Sequence, residues 1–229
     1  PDFLWNNGDT TEDLQNVGTG LHYVQVADNN NCKAFEFGVL EYIAPIPNPI
    51  CLITTDTLDS IANTEAIFVV WEKLNNPAVE SYNVYKETTQ SNVYQRIGNV
   101  KKTDPGLFID SFSSVANRWW RYKITVLDSC GNESDINAQA ASAHKTINLR
   151  SQVLNTDSIF LIWDNYQGFQ FTDYLIYRWD NITGYNWVDT VPRSQRRYID
   201  SSFPPNADTL YYFVFAENQT LALYNYYHY

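Results

Sequence analysis

Three cysteines (Cys32, Cys51, Cys130) and three histidines (His22, His144, His228) are the whole stock of thiol and imidazole groups in this chain of 229 residues. No two cysteines form a Cys-x-x-Cys pair and the histidines lie far apart, so the spacing argues against zinc. No serine sits in Gly-x-Ser-x-Gly, and His-Glu-x-x-His is absent. The paired acids Asp56/Asp59 and Glu12/Asp13 fall in polar, loop-like segments, where solvated carboxylates explain them better than an acid–base pair does. His144 occupies a linker-like stretch and reads as a satisfied surface or interface histidine rather than a general base. An odd cysteine count suggests one disulfide plus one thiol whose partner lies outside these residues.

Oxygen-rich loops are the remaining metal candidates. Asp28, Asn29, Asn30 and Asn31 form one, and Asp104 and Asp110 flank another. Calcium accepts such ligands, but neither segment has the spacing of a known calcium loop, so the expectation is no cofactor, with calcium as the weaker alternative. The net charge of −11 repels nucleic-acid phosphate and anionic lipid, which excludes those partners and favours basic ones. No apolar run approaches the ~18 residues of a membrane span, so no membrane insertion is expected. The chain opens at Pro1, contains no Met and carries no export signal, and reads as a mature or excised piece of something longer.

These groups must be positioned by strands. Short runs of Val, Ile, Tyr, Phe and Trp alternate with Asn, Asp, Gly, Ser and Pro, and no window holds a helical apolar period, so the chain is read as all-β. An internal repeat organises it. IFVVWE at Ile67–Glu72 returns 92 residues later as IFLIWD, and SYNVYK at Ser81–Lys86 returns at the same offset as DYLIYR. FIDS at Phe108–Ser111 and RYKITVLD at Arg121–Asp128 return 90 residues on as YIDS and YYFVFAEN. A unit of about 90 residues suits a seven-strand sandwich.

By two-residue alternation Trp71 and Trp163 face the space between two sheets, and Tyr122 with Tyr211 or Tyr212 stands on the penultimate strand. One of the adjacent Trp119 and Trp120 is then expected inside and the other outside. Trp119, Trp120 and Trp187 are the candidate binding aromatics, beside Trp179 and the aromatic tail Leu221–Tyr229. The expected boundaries are a first β module at 1–43, a Pro-rich linker at 44–49, and repeats at 50–143 and 144–229.

The second-strand Trp, the Tyr-x-Val-Tyr-Lys/Arg third strand and the Tyr-rich sixth strand resemble fibronectin type III domains. The ordered set CLITTD…FVVWEK, DSCGNES, HKTINL and LIWDNYQGF…YLIYR resembles, more closely, the tandem fibronectin type III-like pair of Bacteroidetes surface proteins exported by type IX secretion. That family's C-terminal sorting domain is not visible. Phe3–Cys32 resembles the back half of a gliding-adhesin or PKD-like repeat, so a partial β-sandwich module is expected at the N-terminus, with Cys32 pairing to an upstream cysteine.

The resemblance implies a Cys51–Cys130 disulfide, worth about 3–5 kcal/mol by loop entropy. It also implies O-glycosylation at the hydroxyl of Asp-Ser/Thr motifs, here Thr10, Thr57, Ser60, Ser129, Ser158, Thr190 and Thr209, although Asp-Ser and Asp-Thr are also ordinary turn starters. Asn132, Asn181 and Asn218 head Asn-x-Ser/Thr sequons, relevant only in a host with that machinery. The function implied is a non-catalytic stalk, spacer or adhesive segment of a secreted or cell-surface protein. Its partners would be a protein or glycan at the cell surface, or copies of itself in a fibre. The alternative is an accessory or carbohydrate-binding region of a larger secreted hydrolase. If the bridge forms, Cys51 and Cys130 in native protein will resist alkylation until a reductant is added; immediate alkylation of both refutes it.

Overall fold

The computed structural model describes residues 1–41, 43–59 and 64–217. The chain divides into two compact units, Pro1–Ala44 and Pro45–Tyr229. The first unit is an antiparallel meander of β1 (Asp2–Trp5), β2 (Gly20–Ala27) and β3 (Lys33–Leu40). Leu21 pairs with Val39, Tyr23 with Phe37 and Gln25 with Phe35, which puts five apolar side chains on one face. That face is exposed, as a single sheet without a second layer must be.

The second unit holds two successive sandwiches. The first comprises β4 (Leu52–Asp59), β5 (Thr64–Val70), β6 (Val79–Glu87), β7 (Tyr94–Lys101), β8 (Leu107–Asp110), β9 (Arg121–Asp128) and β10 (His144–Lys145). They form a sheet β4-β5-β8 and a sheet β10-β9-β6-β7, all antiparallel. Among the described residues the second repeats this without a counterpart of β10, with β11 (Leu149–Asn155), β12 (Ser158–Trp163), β13 (Asp173–Asp180), β14 (Gly184–Pro192), β15 (Arg197–Asp200) and β16 (Leu210–Ala216), in sheets β11-β12-β15 and β14-β13-β16. Three strands facing three or four, with the third strand central to its sheet, is the fibronectin type III-like arrangement. Because His144 and Lys145 pair with Tyr122 and Arg121, the first sandwich runs two residues past the expected boundary at 143.

Each core is a layer of inward residues around the expected tryptophan. Trp71 and Trp163 are buried and lie against Tyr82 and Tyr174, with ring centroids 5.5 and 5.6 Å apart. The tyrosine hydroxyls reach back to the loop after the tryptophan strand: Leu74 N–H donates to Tyr82 (2.8 Å) and Tyr166 N–H to Tyr174 (2.9 Å).

A buried ion pair joins the two sheets of each sandwich. Asp110 at the end of β8 accepts from Lys86 Nζ on β6 (2.8 Å), the Tyr122 hydroxyl on β9 (2.8 Å) and the Ser113 hydroxyl (2.9 Å). In the second sandwich Asp200 accepts from Arg178 Nη1 (2.7 Å), the Tyr212 hydroxyl (2.8 Å) and the Ser202 hydroxyl (2.7 Å). Burial alone would raise these carboxyls. The donors around each outweigh it and hold both below the ordinary aspartate range, while burial and the neighbouring carboxylate raise the two tyrosines.

Removing either aspartate leaves the cation poorly compensated: Arg178 keeps its longer contact with Asp180 (3.4 Å), and Lys86 the Ser113 hydroxyl (2.9 Å). Arg178 is nearly sealed, whereas Lys86 still touches water. Asp200→Ala is therefore expected to cost about 3–5 kcal/mol in urea unfolding and Asp110→Ala about half that. Equal costs would show that cation exposure does not set the difference.

Candidate interaction surface and the joint that carries it

The outer faces of the two larger sheets differ sharply although their strands correspond. In the first sandwich that face is polar and covered by its own chain. Glu133 folds back over it and accepts from Asn83 Nδ2 (2.9 Å), the Tyr85 hydroxyl (2.7 Å) and the Thr125 hydroxyl, and Lys123 Nζ donates to Ile136 O (2.8 Å). These bonds bury Asn83 and Thr125, so the central strands are buried on both sides rather than alternating with solvent.

In the second sandwich the inward set on β13 is Tyr174, Ile176, Arg178 and Asp180, which leaves Leu175, Tyr177 and Trp179 outward. Register then aligns Thr190, Trp187 and Tyr185 of β14 on one flank, and Phe215, Phe213 and Tyr211 of β16 on the other. Seven of these nine positions are aromatic. The rings interlock: Tyr177–Phe215 at 5.8 Å and 77°, Trp179–Tyr211 at 5.5 Å, Tyr185–Phe213 at 5.7 Å, and Phe213 stacked on Phe215. Tyr185, Trp187 and Tyr211 are 72%, 60% and 57% exposed. Trp187 was among the expected binding aromatics and Trp179 was named beside it; the other five rings were not. The available signal was the exchange, at aligned positions, of Lys123, Thr125 and Glu87 for Phe213, Phe215 and Trp179.

Trp119 and Trp120 behave otherwise than expected. They precede β9, so strand alternation does not govern them, and both are half-buried. Arg118, Arg121 and Lys145 lie 5.1–5.5 Å from the Trp119 ring, and Arg118 lies 4.4 Å from Trp120. Trp120 also packs on the first core and donates its indole N–H to Ser114 O (2.9 Å). Their faces are taken by the protein's own cations.

These tryptophans belong to the joint between the sandwiches. Trp120 and Thr146 exchange hydrogen bonds of 2.9 Å, N–H to Oγ1 and N–H to O. Lys145 N–H donates to Gln167 O (2.7 Å), and Arg121 Nε to Gln167 Oε1 (3.0 Å). Asn148 Nδ2 donates to Val115 O while its carbonyl accepts from Asp164 N–H (3.2 Å). His144 is buried here, its Nδ1 3.1 Å from the Tyr166 hydroxyl and its ring against Phe169. Burial lowers His144 to about 4 and raises Tyr166. Gly168 closes the joint; a Cβ there would stand 2.5 Å from His144 Nδ1.

The other expected residues are dispersed. Cys51 is half-buried and Cys130 exposed, and both are free thiols. Cys51 N–H donates to Val70 O and Ser129 N–H to Ala78 O, at the two ends of the β5–β6 loop, so the cysteines share one end of the sandwich. Thr10, Ser129, Thr190 and Thr209 are exposed, and the Thr190 hydroxyl accepts from Trp187 Nε1 (3.3 Å). Ser158 is buried and donates to Asn155 Oδ1 (2.9 Å), which removes the accessibility that modification requires. Thr57 lies on β4, and Ser60, Asn218, His228 and the tail lie outside the described residues. Asp28 caps its own turn through Asn30 and Cys32 N–H, and Asp110 points inward to Lys86 rather than joining Asp104 in a loop. Among the described residues no three His, Cys, Asp or Glu side chains cluster as a metal ion requires, and no helix is long and apolar enough to cross a membrane.

No protein-family model and no curated protein matches the chain. Among solved structures it is similar to the FN1–FN3 domains of chicken CNTN1 (13% identity, 86% of this chain and 72% of that one, TM-score 0.30). It is also similar to the central fibronectin-III array of RIM-binding protein (14%, 76% and 68%, 0.32) and a two-domain fibronectin type III segment of chicken tenascin (11%, 75% and 99%, 0.31). Scores this low add nothing to the strand order, on which the fold rests: the second unit is a tandem of fibronectin type III-like sandwiches.

Proposed function

We propose that this chain is a non-catalytic structural and adhesive segment, a spacer that holds a binding surface at fixed orientation within a secreted or cell-surface protein. The observation that carries this reading is the joint. Adjacent modules linked by flexible chain reorient freely, whereas here side-chain and backbone bonds run across the boundary and a histidine is sealed within it. The secreted setting rests on the sequence resemblance to type IX-exported Bacteroidetes proteins, as do the Cys51–Cys130 bridge and the exposed O-glycosylation candidates. Calcium is a weaker proposal still, tested by the thermal shift between calcium and chelator.

Rigidity is directly measurable. With the native cysteines replaced by serine, spin labels at the exposed Gln90 and Ser151 are expected to give one narrow distance distribution. Gly168→Val should broaden it while both sandwiches keep their circular dichroism. A broad distribution in the parent chain would sink the spacer reading.

His144 gives the joint a pH signature. Its folded pKa lies below the unfolded value, so the unfolded chain takes up the proton first as pH falls. Stability should be full above about pH 6.5 and decline toward pH 4, by up to about 3 kcal/mol. His144→Gln should flatten urea-unfolding free energies between pH 6.5 and 5; an unchanged slope would place the titration elsewhere.

A further inference from the structure

We propose that the outer face of β13, β14 and β16 is a docking surface for a protein segment that presents apolar or aromatic side chains flanked by lysine or arginine. The duplication supplies the internal control. Offsets of 92 and 90 residues place Lys123, Thr125 and Glu87 of the first sandwich where the second has Phe213, Phe215 and Trp179. The polar copy is covered by its own Glu133 segment, whose counterpart 90 residues on lies outside the described residues; Tyr185, Trp187, Tyr211 and Phe215 of the aromatic copy are exposed. A contiguous aromatic face of this kind on a sheet marks an interaction site rather than ordinary surface.

Three observations choose the occupant. The rings stand tilted against one another at 44–77° apart from the Phe213–Phe215 stack, as in an opened core, rather than lying as the flat platform a sugar ring covers. The centre carries no charge and is rich in Trp and Tyr, the residues that dominate protein interfaces. Finally, Asp173 and Glu217 stand together at one end of the face, Glu217 N–H donating to Asp173 O (3.1 Å), no Lys or Arg occupies an outward position of the three strands, and Arg193 beside them is engaged with Gln170 (3.3 Å) and the Phe171 ring. With a net charge of −11 behind it, this edge attracts a basic partner. The surface stands whether or not the pair serves as a spacer, since the joint takes no part in it.

The test is a random-peptide phage library panned against the full chain at low salt. Winners are expected to combine aromatic or aliphatic residues with Lys or Arg, and to weaken roughly tenfold or more on Trp187→Ser, which removes an exposed side chain. The double change Asp173→Lys, Glu217→Lys should weaken them severalfold, as should raising salt from about 50 to about 500 mM. Winners indifferent to Trp187→Ser would overturn the site, and winners without cations would overturn the partner chemistry. Displacement of the winners by neutral oligosaccharides on a glycan array would make the face a sugar site. Concentration-dependent dimers abolished by Trp187→Ser would assign it to a second copy. Binding only after removal of residues 218–229 would assign it to the chain's own terminal segment.

Discussion

The second unit depends on one interaction made twice, a cation and a tyrosine from the larger sheet closing on an aspartate from the smaller one. Two sheets held by apolar contacts alone could slide, because hydrophobic attraction has no direction. The Lys86–Asp110–Tyr122 and Arg178–Asp200–Tyr212 sets are directional, and each spans the core. Ions buried this way add little net stability over apolar substitutes, but breaking one is expensive, so we regard them as fixing sheet register.

With register fixed, the outer faces were free to diverge. One copy has a polar face with its own Glu133 segment folded over it; the other carries interlocked rings. The joint then ties the orientation of that aromatic face to the first sandwich through contacts at Trp120, His144 and Gln167. Core, face and joint thus form a hierarchy in which each level presupposes the one beneath it.

Much of the fold was legible in the sequence because strand burial has period two and the repeat doubles every signal. Trp71, Trp163 and Tyr122 are buried as alternation requires, and His144, read as a satisfied surface or interface histidine, lies buried at the joint. What alternation could not reveal depended on contacts distant in sequence. Asn83 is buried by Glu133, fifty residues away, and Trp119 and Trp120 escape the rule because β9 begins one residue later. Ser158 sits in a motif that reads as an exposed turn, yet Asn155 turns its hydroxyl inward. The aromatic face was visible only as separate residues until cross-strand register brought them side by side.

Gly168 has a consequence for how such modules can be exchanged. A boundary that excludes even a methyl group is a lock cut for one key. A sandwich transplanted into another array would leave His144 or Tyr166 facing a stranger's surface, so the two are expected to keep their fit only when moved together. In that sense the piece that can be moved intact is the doublet rather than the single sandwich.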